Sequence, residues 1–263
     1  MIHKGIPTLI ETPTLEDGAM LCRSLGLDFI ELNMNLPQFQ TDAMDPVRFQ
    51  RIAEQYGIYY TIHLDENLNV SDFNPHIAQG YLRTVTETIR FAQQLHIPVL
   101  NMHLPKGVYF TLPDRKVYLF EEYRSRYLTS IRTFRDACER AVGSAPIRLC
   151  VENCDGFLPF QKEAVKLLLD SPVFGLTFDI GHDHGIGGAD EPFILQYRDR
   201  LCHMHIHDAR GKRNHLPLGE GDIVLSQYLA LAEQQQCRIV LETKTVAGLK
   251  QSVQWLHHNT PTK

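Results

Sequence analysis

Four apolar segments of this sequence end in a side chain that can bind a metal ion. The segments are IRLCVE, GLTFD, LCHMH and RIVLE, and their last residues are Glu152, Asp179, His205 and Glu242. Carboxylates combined with one imidazole form a hard donor set that suits Mn, Zn, Mg or Co. Acids held together without a cation would repel one another, or one of them would retain its proton. We therefore predict a divalent-metal site at these residues; the alternative is a network of ion pairs with a structural or substrate-binding role.

Further histidines occupy similar positions. His63 ends YYTIH, His103 ends VLNMH, and His182 follows the predicted aspartate ligand by three residues in FDIGHDHG. His215 lies in NHLPLGEGDI. Each of these side chains is a candidate for an additional metal ligand or a substrate contact. The alternatives are a capping turn for His182 and, for His215, an ordinary glycine turn in which Asp222 caps the next helix.

Three alternating histidines complicate the choice of ligand in HMHIHDARG. His203, His205 and His207 are spaced so that their side chains share one face of a strand. We expect only one of them to reach the level of the predicted metal site. Our choice is His205.

Two long connections follow the strands that end in histidine. They span residues 64–75 and 104–118, and we predict that they cover the site; plain surface loops are the alternative. The second contains Lys106, which with Arg210 and Arg213 is a candidate to bind a phosphate or carboxylate of a substrate. A solvated surface position is the alternative for each of these cations.

The predicted site requires a fold that brings the ends of separate strands together. Helical periodicity separates the apolar runs, for example over residues 45–56 and 225–235. Repeated strand and helix without a break in composition predict a single α/β domain over residues 1–263, a (β/α)8 TIM barrel. A doubly wound sheet is the competitor, but no glycine fingerprint follows the first run. The eight runs end at Glu11, Glu31, His63, His103, Glu152, Asp179, His205 and Glu242.

Composition narrows the class of protein. The 263 residues contain 43% hydrophobic and 22% charged side chains, which indicates a globular chain with a large core. A formal net charge of −5 provides no overall basic field for nucleic acid, and neither a secretory segment nor a membrane span is evident. The six cysteines lack CxxC spacing, so we expect them to be reduced. We predict a cytoplasmic protein with no membrane partner.

The ordered set VEN, FDIGH, HIHDAR, GEGD and LET resembles the xylose isomerase-like TIM barrel superfamily. That superfamily contains sugar phosphate isomerases and epimerases and also endonuclease IV, of AP endonuclease family 2. The resemblance implies that the four predicted ligands hold one metal ion. It also implies that Glu152 and Glu242 are paired catalytic bases, one removing the proton next to a carbonyl and the other returning it through a metal-stabilised enediolate.

On this basis we predict a divalent-metal-dependent isomerase or epimerase of a small sugar, sugar phosphate or hydroxycarbonyl compound. A lyase or dehydratase would use the same chemistry. The expected partner is a small carbohydrate-like molecule, and a homo-oligomer is compatible with the sequence. The ketose 3-epimerase pattern is incomplete, because only Asp155 follows the metal-binding glutamate of the fifth strand and Arg210 is one residue out of step with the substrate arginine.

An endonuclease IV-like phosphodiesterase is the alternative enzyme. The extra ligands of its three-zinc centre would match His63, His103, His182 and His215. Against this alternative, Arg213 replaces an aspartate ligand of that centre. Moreover, the segments LNMNLPQF and LDENLN lack the arginine and tyrosine that the endonuclease inserts into DNA, and Asp65 and Glu66 would repel phosphate. A non-catalytic binding barrel is the third hypothesis.

Overall fold

The strands of the protein form a closed parallel barrel in a computed structural model that describes residues 2–259. Eight strands pair in the order β1-β12-β9-β8-β7-β4-β3-β2, and β1 closes the ring by pairing with both β2 and β12. The fold is therefore the predicted (β/α)8 TIM barrel. In chain order the strands are β1 (Lys4–Pro7), β2 (Phe29–Asn33), β3 (Tyr59–His63), β4 (Val99–His103), β5 (Tyr109–Thr111), β6 (Lys116–Tyr118), β7 (Arg148–Glu152), β8 (Phe174–Asp179), β9 (Leu201–Ile206), β10 (Asp208–Arg210), β11 (Arg213–Leu216) and β12 (Arg238–Leu241).

Helices lie between the strands and cover the barrel. The predicted helices at 45–56 and 225–235 are confirmed as α2 and α9, and no helix of residues 2–259 is long and apolar enough to cross a membrane. The helices are α1 (Leu15–Ser24), α2 (Pro46–Tyr56), α3 (Pro75–Gln94), α4 (Leu119–Glu122), α5 (Arg124–Val142), α6 (Pro159–Leu169), α7 (Ile180–Gly185), α8 (Glu191–Gln196), α9 (Leu225–Gln235) and α10 (Val246–Asn259).

Local sequence signals explain the ends of α2. The Asp45 side chain accepts a hydrogen bond from the Val47 N–H, and Pro46 occupies the first turn, where its missing N–H costs nothing. At the other end Gly57 adopts a left-handed conformation with φ of 64°. Glycine is favoured in that conformation because it has no side chain to clash. These signals are all readable from the sequence.

Two predicted boundaries are wrong. β1 ends at Pro7, not at Glu11, because proline cannot donate to the strand ladder and the chain then turns, with the Thr12 N–H bonded to the Leu9 carbonyl. Glu11 is exposed and accepts a hydrogen bond from the Val246 N–H. Asp222 does not cap α9, which starts after Val224 without a side-chain cap.

The helix layer and the barrel share one apolar core. Phe134 of α5 packs edge-on against Phe174 of β8, with ring centroids 5.8 Å apart, and both side chains are buried. Parallel pairing with β7 and β9 holds β8 on both sides, and Asp179 at its end lies in register with His205. The six cysteines are free thiols, as predicted.

We predict that Phe174→Ala lowers the free energy of unfolding by about 3–5 kcal/mol, because it leaves a cavity between α5 and the barrel. Denaturant unfolding measures the change. Val47→Ala is the control, since the Val47 side chain is 78% exposed, and it should change stability by less than about 0.5 kcal/mol. Equal stability of the Phe174 variant and the wild type would contradict this account of the core.

Candidate metal centre

The predicted metal ligands meet at the carboxyl-terminal mouth of the barrel. Glu152 ends β7, Asp179 ends β8, His205 lies near the end of β9, and Glu242 directly follows β12. These strands are parallel, so their carboxyl ends share one rim. Each of these four residues offers a ligand atom within 4.8 Å of the others. The strand pattern therefore brings the four predicted side chains together.

His205 lies at the centre of this cluster. Its Nδ1 atom is 3.2 Å from Glu152 Oε1, 3.4 Å from Glu242 Oε2 and 3.9 Å from Asp179 Oδ2. Nδ1 of His205 and Oε2 of Glu242 are both buried and have no hydrogen-bond partner among the described residues. Buried polar atoms without partners are costly. A divalent cation bound between them would satisfy these atoms, so the residues present fit a metal ion.

The electrostatics of the cluster favour charged carboxylates. Burial would raise the pKa of Glu152, but the charges of His205 and His103 outweigh burial and hold that pKa well below its usual range. The same balance, in which His205 is again the main opposing charge, lowers the pKa of Glu242. These acids are ready to bind a cation without first losing a proton.

Two predicted histidines lie beside Glu152. The Nε2 atoms of His63 and His103 are each 3.4 Å from Glu152 Oε2. Nδ1 of His63 lies 2.7 Å from the Leu64 carbonyl, which can only accept, so this nitrogen carries a proton. Burial would lower the pKa of His63, but Glu152 outweighs it and raises the pKa to about 9. The structure places His63 and His103 at the site, and their use as metal ligands or substrate contacts stays a prediction.

His182 and His215 lie on the opposite side of the site, next to Asp179 and Glu242. The Asp179 side chain caps α7 by accepting the His182 N–H at 2.7 Å, so the predicted capping turn is present. The ring of His182 is nevertheless at the site, with Nδ1 3.4 Å from Asp179 Oδ2. Nδ1 of His215 is 3.9 Å from Glu242 Oε2, and burial lowers the pKa of His215 to about 4. Its ring is therefore neutral, and because Nδ1 lies 3.2 Å from the Glu242 backbone carbonyl, the proton is on Nδ1 and Nε2 is the atom that can act as a ligand or an acceptor.

His207 also reaches the site, so the prediction that only one of the alternating histidines does so is wrong. The chain has left β9 before His207, and its Nε2 lies 3.1 Å from Asp179 Oδ1. Its Nδ1 accepts the His215 N–H at 2.8 Å; the Asp208 carbonyl is farther away, at 3.3 Å, and is not a donor. The proton of the neutral ring is thus on Nε2. His207 donates it to Asp179 and is not available as a ligand.

Burial by itself would lower the pKa of His207, but the charge of Asp179 outweighs burial and raises this pKa. Nδ1 accepts the His215 N–H, however, and a proton on Nδ1 would clash with that donor. The imidazole is therefore neutral in this geometry. Asp179 therefore accepts the His182 backbone N–H at Oδ1 and a hydrogen bond from His207 Nε2 at Oδ2, at 3.3 Å. The Oδ2 atom also faces Nδ1 of His205 and Nδ1 of His182.

A cavity of about 210 Å³ opens next to Glu152. Its lining includes Glu66 and Lys106, so the first residues of both long loops border the cavity, and a covering role of these loops stays a prediction. Nζ of Lys106 donates to the Asp155 carbonyl at 2.9 Å. The full lining within the described chain is Glu66, His103, Leu104, Pro105, Lys106, Glu152, Cys154, Asp155, Gly156, Phe157 and Gln161.

The two predicted arginines are absent from that lining. Arg210 is 65% exposed and pairs with Asp222 at 3.3 Å, and it also donates to the Glu220 carbonyl. Arg213 is exposed and faces Arg210 across the β10–β11 hairpin. In this arrangement both follow the surface alternative, because Arg210 is held by Asp222 and the Arg213 side chain is exposed. Their role in substrate binding stays a prediction.

Four residues at the site were not predicted. Asn101 donates to Glu152 Oε2, and Lys244 Nζ is 2.8 Å from Glu242 Oε1. His207 contacts Asp179, and Glu31 lies 2.7 Å from His205 Nε2. Period-two spacing was an available signal for Asn101, which precedes His103 by two residues on the same face of β4. Position at a strand end was an available signal for Glu31, and alternation with His205 was one for His207. No comparable local signal exists for Lys244.

The chain belongs to the xylose isomerase-like TIM barrel family, whose family model matches residues 20–258. One similar protein is the L-ribulose-5-phosphate 3-epimerase UlaE of Shigella flexneri, 26% identical over 249 residues, which covers 84% of this chain and 80% of UlaE. Another is the uncharacterized protein MJ1188 of Methanocaldococcus jannaschii, 22% identical over 241 residues, with 87% of this chain and 83% of that protein covered.

Solved structures share the fold. A D-tagatose 3-epimerase-like protein has a TM-score of 0.80 at 20% identity and covers 98% of this chain and 96% of its own. The IOLI protein with a bound zinc atom has a TM-score of 0.74 at 13% identity, with coverage of 98% and 96%. At this level of identity the likeness concerns the barrel alone.

We predict that Gly181→Ala distorts the site, because a β-carbon at residue 181 would lie 1.9 Å from the His207 ring. The overlap should cost about 1–3 kcal/mol of stability and displace the donor to Asp179. Gly80→Ala in α3 is the matched control, since nothing lies within 4 Å of its new β-carbon. Thermal unfolding should show a loss for residue 181 and none for residue 80. A stable Gly181 variant would mean that His207 does not depend on this glycine.

Proposed function

We propose that this protein is a divalent-metal-dependent isomerase or epimerase of a small sugar, sugar phosphate or related hydroxycarbonyl compound. The observation that carries the proposal is the placement of Glu152 and Glu242, each with one carboxylate oxygen within 3.4 Å of His205 Nδ1. Two bases at one cation site can remove and return a proton on a single carbon. The epimerases among the similar proteins and structures support the same reaction class.

The residues that would hold the ion are Glu152, Asp179, His205 and Glu242. When bound, a divalent cation polarises the carbonyl and hydroxyl oxygens of a substrate and stabilises the negative charge that develops there. Mn, Zn, Mg and Co all suit this donor set. The zinc of the IOLI protein supports a metal in this family fold without selecting one for this chain.

The two glutamates are oriented by different neighbours. Asn101 holds Oε2 of Glu152, so that Oε1 faces His205. Lys244 holds Oε1 of Glu242, so that Oε2 faces His205. Each carboxylate therefore has one oxygen held by a neighbour, and the proposal requires the substrate carbon to meet one glutamate on each face. The ionised glutamate on one face removes the proton next to the carbonyl, and the other, after taking up a proton from water, delivers it to the opposite face of the resulting enediolate.

The cavity limits the size and polarity of the substrate. Its volume of about 210 Å³ is below the roughly 300–1,000 Å³ of pockets that hold drug-sized ligands, which indicates a compact substrate. Glu66, Lys106 and Gln161 place hydrogen-bonding groups among apolar residues of the lining. Such a mixture suits a compound with several hydroxyl groups. Lys106 is the cation of the lining that could meet a phosphate at the far end of a phosphorylated sugar.

A phosphodiesterase with more than one metal ion is the second candidate. The observation that favours it is the cluster of His63 and His103 around Glu152 Oε2, which could hold a further ion. Glu66 in the cavity lining opposes it, because a carboxylate there would repel a phosphate backbone. A non-catalytic binding barrel is the third candidate and predicts ligand binding without turnover.

We predict that metal-stripped protein is stabilised by added Mn²⁺ or Zn²⁺, because the ligand cluster exists only in the folded chain. A concentration one hundred times the dissociation constant should add about 2.7 kcal/mol to the free energy of unfolding. Thermal unfolding and elemental analysis measure the stabilisation and the number of ions bound. Absence of any stabilisation would contradict the metal site. More than one ion per chain together with phosphodiester cleavage would support the second candidate.

We predict that Glu152→Gln and Glu242→Gln each reduce exchange with deuterated water by about 10²–10⁴-fold for the epimer whose α-hydrogen that glutamate removes, because the other glutamate serves the opposite epimer. Mass spectrometry of a panel of free and phosphorylated ketoses provides the measurement. Metal content must be determined for each variant, so that loss of a base is separated from loss of the ion.

Asp114→Asn is the control for the exchange experiment. The Asp114 side chain is 68% exposed and pairs only with its neighbour Arg115 in the described structure, so exchange should be unaffected. Exchange that survives both glutamate substitutions in metal-loaded protein would refute the two-base mechanism.

A further inference from the structure

Glu31 is a buried carboxylate next to the metal centre that the proposed reaction does not use. It lies on β2, on the other side of His205 from the predicted ligands, and its side chain is 4% exposed. A carboxylate buried to this extent needs specific partners or a specific role, because burying a charged group without them is costly.

The two oxygens of Glu31 have different partners. Oε2 accepts hydrogen bonds from His203 Nε2 at 2.9 Å and from the Thr61 hydroxyl at 3.1 Å. A carboxylate oxygen only accepts, so Nε2 of His203 carries the proton of this hydrogen bond. Oε1 is 2.7 Å from His205 Nε2. One oxygen therefore anchors the carboxylate to β3 and β9, and the other is directed at His205.

His205 lies between Glu31 and the predicted ligands. Its Nε2 faces Glu31, whereas Nδ1 faces Glu152, Glu242 and Asp179. Neither nitrogen has a partner aligned with an N–H bond in this arrangement, so the contact with Glu31 is a close electrostatic one. A neutral imidazole carries one proton, and a metal ligand needs its lone pair free. With the proton on Nε2, the lone pair of Nδ1 is directed to the three carboxylates.

We propose that Glu31 is a positioning residue that keeps the His205 proton on Nε2 and thereby makes Nδ1 the metal ligand. This inference rests on the proposed metal dependence. A carboxylate held close to the second ring nitrogen of a ligating histidine favours the tautomer with the proton on that nitrogen and increases the basicity of the ligating nitrogen. The anchoring of Oε2 by His203 and Thr61 makes Glu31 rigid enough to do this.

Glu31→Gln tests the assignment with almost no change of shape. Removing the charge should lower the affinity of metal-stripped protein for Mn²⁺ or Zn²⁺ by about 10–100-fold, as measured by calorimetry. The ¹⁵N spectrum of the metal-free protein should show the His205 proton leaving Nε2. This spectroscopic change is one that a purely structural role of Glu31 would not produce.

Thr88→Val is the control for loss of a buried polar group. Thr88 is fully buried in α3 and bonds to the Thr84 carbonyl, away from the ligand cluster. This variant should lose stability without a change in metal affinity or in the His205 spectrum. Glu31→Asp is the second variant if Glu31→Gln does not fold, because it keeps the charge but withdraws the carboxylate from Nε2, and its affinity should also fall.

The outcomes separate the two proposals. If the wild type binds no divalent ion, the proposed function fails and Glu31 has no metal-directed role. If the wild type binds the ion and a folded Glu31 variant binds it equally well with an unchanged tautomer, the assignment of Glu31 fails and the metal site stands. Weaker binding with a redistributed His205 proton in that variant would establish the assignment.

Discussion

The concentration of buried negative charge around His205 is the constraint on which the rest of the structure depends. Glu31, Glu152, Asp179 and Glu242 all have an oxygen within 3.9 Å of one of its ring nitrogens. Besides His205, His63 lies against Glu152 and Lys244 against Glu242, so these two acids each have a further basic neighbour. We propose that a divalent cation balances the remaining negative charge of the cluster. The parallel barrel makes such crowding possible because it brings the ends of separate strands to one rim.

Most of the polar contacts around the cluster serve to orient its members. Asn101 and Lys244 each hold one oxygen of a proposed base, and His207 holds one oxygen of Asp179. His207 is itself held by the backbone of His215 and has room for its ring only because residue 181 is glycine. Our proposal for Glu31 extends this arrangement to the histidine. Fixed orientation matters for catalysis because charge stabilisation is effective only when the groups do not have to reorganise.

The family fold by itself does not define the reaction, since barrels of this kind host different chemistries. The features that distinguish this chain lie at the edge of the rim. Glu66 and Lys106, contributed by the loops after β3 and β4, line a small cavity beside Glu152. The arginines of the β10–β11 hairpin lie outside that lining, and Arg210 is paired with Asp222. A compact polyhydroxylated substrate suits this cavity better than a nucleic acid backbone does.

The sequence by itself determined the barrel, the bounds of α2 and α9, and the four-residue cluster, because strand ends and helix caps are local signals and parallel strands align their ends. The sequence misplaced the end of β1, because an apolar run continues past Pro7. It also missed His207, because spacing along a strand does not show how the chain turns after β9. Only the tertiary structure brought Glu31 to His203, 172 residues away in the sequence. Such contacts depend on which strands become neighbours across the barrel and on ring orientation, and neither is encoded in local periodicity.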